Sequence, residues 1–308
     1  AARAGAWAAL RWPQLDADVR KFFRALGPAT VGSMGVQLAL FADTIIASFL
    51  PAGALSALYY ADRIDQLPIG VIGIAAGTVI LPEMSRRLAV GDDTGAASAQ
   101  NRAIEFTLLL SIPCLAAFFV IPELIMRALF MRGAFTAADA VAAGQTLAAY
   151  ACGLLPFVLI RSTVATFLAR GDTATPVKAA LAAAAVNIAF KFLLMGPLAQ
   201  VGLALATSIG AWINLGLVLW FAARAGHIHI DERLRQSTIK LAGAGLVLAA
   251  TLWLCSAPVA HLFAGWDRLR DVATLALLAA IGGGVYGGIV LALFGSRWLA
   301  AFRARRRG

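Results

Sequence analysis

Residues 201–223 read VGLALATSIGAWINLGLVLWFAA, a run without a single charged side chain. An α-helix rises about 1.5 Å per residue, so roughly 20 apolar residues cross a hydrocarbon core about 30 Å thick. The run is rich in Leu and Ala and does not alternate apolar with polar residues, which argues against a strand of a membrane barrel. Residues 201–223 therefore predict a membrane-spanning α-helix.

Further windows of similar length and hydropathy lie along the chain. Hydrophobic residues make up 61% of the sequence and charged residues 14%, and the mean hydropathy is +0.81, unlike an ordinary soluble domain. Lipid admits only helices or closed barrels. We therefore predict an all-α, polytopic membrane helix bundle of about eight transmembrane helices. The other predicted windows are 27–50, 66–84, 105–129, 138–168, 175–195, 238–257 and 271–295.

The positive charges follow these windows. The formal net charge is +10, but the basic residues cluster just beyond apolar segments and do not form one basic face interleaved with aromatic residues. If the N-terminus is cytoplasmic, 19 of the 26 Lys and Arg residues lie in inside segments and five in outside segments. Basic loops stay in the cytoplasm. We therefore predict a multi-pass membrane protein with both ends cytoplasmic and no nucleic-acid partner.

The windows divide the chain into five predicted parts. Residues 1–25 mix Trp and Leu with Arg, as an amphipathic cytoplasmic connector does. Residues 26–226 form a six-helix lobe, and residues 238–296 form two extra C-terminal helices. A cytoplasmic loop at 227–237 and a basic cytoplasmic tail at 297–308 complete the prediction.

The sequence predicts a transporter and not an enzyme. Motifs for nucleotide binding, a catalytic nucleophile or a metalloprotease are missing from it, so we expect no catalytic residue and no cofactor. His227 and His229 stand beside Asp231 and Glu232, but a solvated loop explains this group better than a metal site. The chain begins with Ala1 and shows no signal-peptide pattern, so we expect a fragment whose connector joins a missing N-terminal half.

Ionisable side chains inside membrane segments need a partner, an aqueous cavity or a function. Asp62, Arg63 and Asp65 lie just before or at the start of the second window, and Arg161 lies inside the fourth. A guanidinium binds phosphate bidentately and stays charged. Arg63 therefore either binds a diphosphate headgroup or is neutralised by Asp62 or Asp65. Arg161 has no carboxylate within several residues, so it either faces a wet cavity or pairs across helices.

A second polar group lies in the first, fifth and sixth windows. Asp43 lies two-thirds along the first window, and Asn187 and Lys191 are four residues apart and share a helix face. If that face meets the first helix, Asp43 pairs with Lys191, and Thr44 or Thr207 adds a polar contact. The pair is then either a structural ion pair or a coupling site that opens during transport.

The last window carries a glycine face. Gly283 and Gly287 are four residues apart, as are Gly284 and Gly288. Small residues at this spacing allow close helix packing. Alternatively, the face forms a shallow groove for a lipid chain.

Three strings carry a resemblance to a known family. They are YYADRIDQLPIGVIGIAAGTVILPEMSRR (59–87), ADTIIASFL (42–50) and GDTATPVK (171–178). With them, the chain from about residue 20 onward resembles the MurJ/MviN family of lipid II flippases, in the same superfamily as the MATE antiporters. That family has two six-helix lobes and two extra C-terminal helices. The resemblance implies that this chain supplies helices seven to fourteen, a MATE-like C-terminal lobe plus the two extra helices.

The resemblance also implies a location, the bacterial inner membrane, and a function. The protein would flip lipid II, the undecaprenyl-diphosphate-linked peptidoglycan precursor, by alternating access, with membrane lipids and a missing N-terminal lobe of the same protein as its partners. Arg63 would occupy the position of a cavity arginine that binds the diphosphate, with Asp62 beside it, and Arg161 falls where related members carry a basic residue. Gly282–Gly288 would border the groove for the undecaprenyl tail.

One position departs from the family pattern. Some members bind sodium near the positions of Asp43, Asn187 and Thr207, but Lys191 stands where a carboxylate or amide is expected. An ammonium repels sodium and can replace it by pairing with Asp43. We expect sodium binding to be lost and transport to use the membrane potential or protons.

Two other functions remain open. A drug/cation or polysaccharide transporter of the same superfamily predicts a cavity lined by paired carboxylates. A non-transporting membrane scaffold predicts that Arg63 and Arg161 are both paired and dry.

Overall fold

The computed structural model describes residue 41 and residues 44–227, 231–266 and 269–303. Regular structure in these residues is α-helical, as predicted: a short segment at 44–48 precedes seven longer helices. The connector 1–25, Asp43 and most of the first predicted window lie outside the described residues. The helices are α1 (Ala54–Ala89), α2 (Asp93–Val120), α3 (Pro122–Phe130), α4 (Ala137–Leu168), α5 (Ala174–Arg224), α6 (Glu232–Leu262) and α7 (Arg270–Arg303).

Six of the described helices are long and apolar enough to cross a membrane: α1, α2, α4, α5, α6 and residues Arg270–Gly295 of α7. α5 has 51 residues, which at about 1.5 Å per residue is more than twice the thickness of a hydrocarbon core. Its backbone leaves helical geometry at Ala199, with φ 46° and ψ −127°, shortly after Pro197. α5 is therefore two helical segments, and they coincide with the predicted windows 175–195 and 201–223.

Several helix boundaries differ from the predicted windows. α2 begins at Asp93, α6 begins at Glu232 within the predicted loop 227–237, and α7 extends to Arg303.

Two further differences concern α1 and the window 105–129. α1 begins at Ala54 and not near residue 66, directly after Gly53, whose φ of 93° does not continue a helix. Arg63 therefore lies more than two turns inside α1 and not at its start. The predicted window 105–129 is divided between α2 and α3, because the backbone leaves helical geometry at Ile121, with φ −128° and ψ 39°. Pro122 opens α3, where a missing N–H group leaves no helical hydrogen bond unmade.

The GDTATPVK string forms the reversal between α4 and α5. Gly171 adopts φ 79°, a left-handed conformation that glycine reaches without strain. The carboxylate of Asp172 accepts hydrogen bonds from the backbone N–H groups of Ala174 and Thr175, both at 3.0 Å. Hydrogen bonds from the Thr175 side chain and these backbone groups lower the pKa of Asp172 below its usual value. The string thus caps α5 and fixes its direction relative to α4.

The two C-terminal helices are attached to the lobe through α2. The Tyr286 hydroxyl of α7 donates to the Leu109 carbonyl at 2.9 Å. On α6, the Ser237 hydroxyl donates to Glu105 of α2, a carboxylate that is only 3% exposed. Buried hydrogen bonds of this kind set the position of a helix because an unpaired buried carboxylate is costly. α6 therefore packs on α2 in one register, and Tyr286 ties α7 to α2 at one point.

Candidate functional site

Arg63 lies on an exposed face of α1. The neighbouring Tyr60 is held in an aromatic cluster, with ring centroids 4.8 Å from Phe130 and 5.0 Å from Phe135. The cluster anchors α1 at Tyr60, and Tyr59 and Arg63 lie beside Tyr60 at exposed positions of the helix. The guanidinium donates to the Tyr59 hydroxyl at 2.9 Å and stands 4.8 Å from the centre of its ring. Tyr59 thereby orients a guanidinium that has further N–H donors for a ligand.

The two aspartates beside Arg63 have different surroundings. Asp62 accepts a hydrogen bond from Gln66 at 2.5 Å. Asp65 is only 3% exposed, and its Oδ1 atom has no hydrogen-bond partner among the described residues. Asp65 points into the helix bundle, whereas Arg63 points outward. Within the described chain, the hydrogen bond and ring contact of Arg63 are both with Tyr59.

Arg161 lies on α4 and packs across α1. It is exposed, and its side chain passes over Gly73: a Cβ atom at Gly73 would stand 2.6 Å from Cδ and 2.7 Å from Nε of Arg161. Gly73 follows Arg63 by ten residues on one helix, so the two arginines are separated by about 15 Å along the axis of α1. A single diphosphate is too short to contact both. The structure therefore does not bring Arg161 to the site formed by Arg63 and Tyr59.

The second polar group is held between the two segments of α5. Asn187 donates from its side-chain amide to the Ala206 carbonyl at 3.3 Å, and Thr207 donates to its own helix at Leu203. Lys191 is only 3% exposed. A buried ammonium requires compensating groups. The predicted partner of Lys191, Asp43, lies outside the described residues.

The glycine face of α7 is open. A Cβ atom at Gly283, Gly284, Gly287 or Gly288 would contact no atom of the described chain within 4 Å. Gly282, by contrast, packs against α6, and a Cβ atom there would stand 2.9 Å from Leu248. Close helix packing thus occurs at Gly282 and not at the four glycines predicted from their spacing.

Sequence reasoning missed two partners of the arginines. Tyr59 precedes Arg63 by four residues, a spacing that places two side chains on one helix face. The sequence would have predicted this contact if the helix had been predicted to begin before Tyr59, as α1 does. The contact of Gly73 with Arg161 joins two helices. It depends on their relative position, for which the sequence contains no direct signal.

These observations define the class of protein: it is an integral, multi-pass helical membrane protein in which Arg63 and Arg161 are exposed on helices long enough to span a membrane. The family follows from comparison with known proteins. The family model described as "Lipid II flippase MurJ" matches residues 1–270, and the chain belongs to this family. As a multi-pass member, it is a protein of the bacterial inner membrane.

Individual relatives and structures agree with this assignment. The chain is 37% identical over 306 residues to a "Probable lipid II flippase MurJ" of Rhizobium meliloti (strain 1021), covering 99% of this chain and 57% of the relative. A solved structure named "Lipid II flippase MurJ, inward closed conformation" has a TM-score of 0.74 at 22% identity, over 92% of this chain and 56% of that one. The chain therefore spans somewhat more than half the length of these two proteins.

The MATE-like part of the fold prediction is also confirmed. A structure named "Outward-facing conformation of a multidrug resistance MATE family transporter of the MOP superfamily" has a TM-score of 0.54 at 16% identity, over 88% of this chain and 63% of that one. At this identity the likeness concerns the fold alone.

Proposed function

We propose that this chain is the C-terminal part of a flippase that moves lipid II across the inner membrane by alternating access. The observation that carries the proposal is Arg63, an arginine on a membrane-spanning helix that is exposed and held by Tyr59. An exposed guanidinium at membrane depth is costly unless it faces water or an anionic ligand. Membership of the lipid II flippase family makes the undecaprenyl diphosphate the expected anion.

Arg63 binds the diphosphate in this proposal. Its planar guanidinium can donate two parallel N–H bonds to phosphate oxygens, which a lysine cannot do. The Tyr59 hydroxyl already accepts one N–H bond, so the guanidinium loses less freedom when the ligand binds. Asp62, one residue earlier and bonded to Gln66, limits the positive charge of the site. That limit favours release after translocation.

In this proposal Arg161 contacts the substrate at a different depth of the transport cavity from Arg63. Since it lies about 15 Å from Arg63 along α1, it contacts another part of the headgroup or the diphosphate at another stage of transport. Its stem rests in the space that Gly73 leaves open. Two separated arginines then attract the headgroup at successive depths of a wet cavity.

The open face of α7 receives the polyprenyl tail. Gly283, Gly284 and Gly288 are exposed and contact nothing in the described chain. A face without side chains forms a shallow channel at the surface of the helix, where an isoprenoid chain stays in lipid while the headgroup crosses. Gly287 lies one turn from Gly283 and extends the same channel.

The remaining parts of the proposal concern the rest of the protein. An N-terminal lobe of the same protein closes the cavity opposite α1 in this proposal, and the excess of basic residues in alternate loops supports a cytoplasmic location of both chain ends. The polar group of α5 does not fit a sodium site, because Lys191 brings a buried ammonium to it. Transport therefore draws on the membrane potential or protons and not on sodium. Asp43, which lies outside the described residues, is the proposed partner of Lys191, and Asn187 and Thr207 are the other members of this polar group.

The alternatives have less support. A MATE-like drug/cation transporter would carry carboxylates on the open face of α1, where Arg63 lies. A scaffold would bury or pair its membrane arginines, whereas Arg63 and Arg161 are both exposed.

The proposal is tested by complementation in cells depleted of their own flippase. The complete gene carries Arg63→Ala, Arg63→Lys or, as a matched control on the same helix, Arg86→Ala, whose side chain is 78% exposed. We expect Arg63→Ala to fail while present in the membrane by blot, Arg63→Lys to support weak growth, and Arg86→Ala to grow normally. Normal growth of Arg63→Ala would remove Arg63 from the substrate site and overturn the proposal.

A further inference from the structure

A cavity of about 620 Å³ lies between the lobe and the two C-terminal helices. Its lining comes from the end of α2, from α3, from the start of α4, from the end of α6 and from the start of α7. α1 and α5 contribute no lining residue among those described, so the cavity is separate from Arg63 and from Lys191. The helix ends that surround it place it at the edge of the hydrocarbon layer, at the level of lipid headgroups.

Charges of both signs line this cavity. Arg127 of α3 donates two hydrogen bonds to Asp271 of α7, at 3.1 Å from Nε and 3.0 Å from Nη2, and its Nη1 lies 3.6 Å from Glu123. Arg270 donates from Nε to the Ala260 carbonyl at 3.3 Å, which leaves its two Nη groups outside that bond. Two arginines and two carboxylates give a lining whose formal charge is balanced.

One wall contains a polar atom that lacks a partner. Thr274 lines the cavity and is only 1% exposed, and its Oγ1 forms no hydrogen bond with any described residue. A buried hydroxyl without a partner costs about 1–3 kcal/mol, so structures rarely keep one without a reason. The cavity is also far larger than the roughly 10–15 Å³ that one water needs. Both features point to a larger ligand that brings a hydrogen-bond acceptor.

We propose that this cavity binds the headgroup of a zwitterionic phospholipid that carries a primary ammonium group. The phosphate fits Arg270, the ammonium fits the half-exposed carboxylate of Glu123, and a phosphate or ester oxygen accepts from Thr274. Phe119 and Val141, 48% and 38% exposed, line the cavity and offer apolar surface to the acyl chains.

The balanced charge selects this headgroup over its competitors. A purely anionic lipid offers a phosphate to Arg270 but brings no cation to the half-exposed carboxylate of Glu123, whereas Asp271 is already paired with Arg127. A quaternary ammonium carries no N–H group and cannot donate to the Glu123 carboxylate. A headgroup with a primary ammonium next to its phosphate can pair with both Glu123 and Arg270. Phosphatidylethanolamine therefore binds more tightly than phosphatidylglycerol or phosphatidylcholine.

The test measures lipid binding to the complete protein in detergent. Short-chain phosphatidylethanolamine, phosphatidylcholine and phosphatidylglycerol are each titrated, and the bound fraction is read by native mass spectrometry. Thr274→Val keeps the side-chain shape and removes the hydroxyl; we expect about fivefold weaker binding of phosphatidylethanolamine, the value of one hydrogen bond. The matched control is Thr251→Val on α6, because Thr251 donates to its own helix and does not line the cavity.

A second variant tests the ammonium contact. Glu123→Gln should abolish the preference for phosphatidylethanolamine over phosphatidylcholine while leaving total binding largely intact. The proposal is overturned if the three lipids bind equally to the wild type, if phosphatidylglycerol binds best, or if Thr274→Val binds like Thr251→Val. In the first and last of these cases the cavity is a hydrated gap between packed helices.

Discussion

Replacing Gly73 with alanine should impair transport by moving Arg161. A Cβ atom at residue 73 would stand 2.6 Å from Arg161 Cδ and 2.7 Å from Nε, whereas carbon atoms in contact are separated by about 3.5–4.0 Å. The arginine stem must therefore move by about 1 Å. Since the stem is flexible, we expect little loss of stability, and alanine favours the helix by up to about 1 kcal/mol.

The expected effect on transport follows from that displacement. A misplacement of about 1 Å can reduce the rate of a positioned reaction by up to about 100-fold, and a flexible arginine recovers part of the loss. We therefore expect the flipping rate of Gly73→Ala to fall about tenfold. In an Arg161→Ala background the same substitution should add nothing, since the group it displaces has already been removed.

The assay compares Gly73→Ala with Gly77→Ala, single and combined with Arg161→Ala, in a reconstituted flipping assay. Gly77 lies one turn further along α1, and a Cβ atom there would contact nothing within 4 Å. Membrane level and thermal stability are measured in parallel. If Gly73→Ala flips as fast as Gly77→Ala, or if its defect persists without Arg161, then Arg161 does not act on the substrate.

Three further predictions concern stability. Asp65→Asn should stabilise the protein by about 1–3 kcal/mol, because it removes a carboxylate charge from a side chain that is only 3% exposed; unfolding in detergent measures it. Gly245→Ala should destabilise by about 1–3 kcal/mol relative to Gly243→Ala, because a Cβ atom at Gly245 would overlap the side chain of Ile112 and one at Gly243 would contact nothing. Burial, together with the charge of Arg170, lowers the pKa of His227 below its usual value of 6.5. Between the two pKa values the unfolded chain binds more protons than the folded protein, so the thermal midpoint of unfolding should rise as the pH rises toward 6.5. The His227→Phe variant should show a smaller rise.

Each of these three stability predictions can be contradicted by one result. A less stable Asp65→Asn variant would mean that the carboxylate has a favourable role that the described contacts do not account for. Equal stabilities of Gly245→Ala and Gly243→Ala would mean that α6 does not pack closely on α2 at this level. If the His227→Phe variant keeps the same dependence on pH, the titration belongs to another group.

The sequence predicted the membrane helices well, because the length of an apolar run is set by the thickness of the bilayer. It also identified Arg63 and Arg161, since charges in such runs are rare. It did not predict which way side chains point. Arg63 is exposed and Asp65, two positions later, is buried, because two residues turn a helix by about 200° and only packing decides which side meets the core.

The sequence also did not predict which residues contact each other between helices. Gly282 and Gly283 are neighbours in one glycine run, but only Gly282 packs against Leu248. The approach of Arg161 to Gly73 likewise depends on how α1 and α4 are placed relative to each other. Spacing within one helix predicts faces, whereas the partner of each face follows from tertiary packing.

The most direct test of the account measures lipid II in the outer leaflet of living cells. Cells depleted of their own flippase express the complete gene as wild type, Arg63→Ala or Arg63→Lys, and an externally added lipid II-cleaving enzyme reports the exposed fraction. The account predicts that exposure is lost with Arg63→Ala and partly retained with Arg63→Lys, while total lipid II rises. Wild-type exposure of lipid II in cells that contain only Arg63→Ala would contradict it.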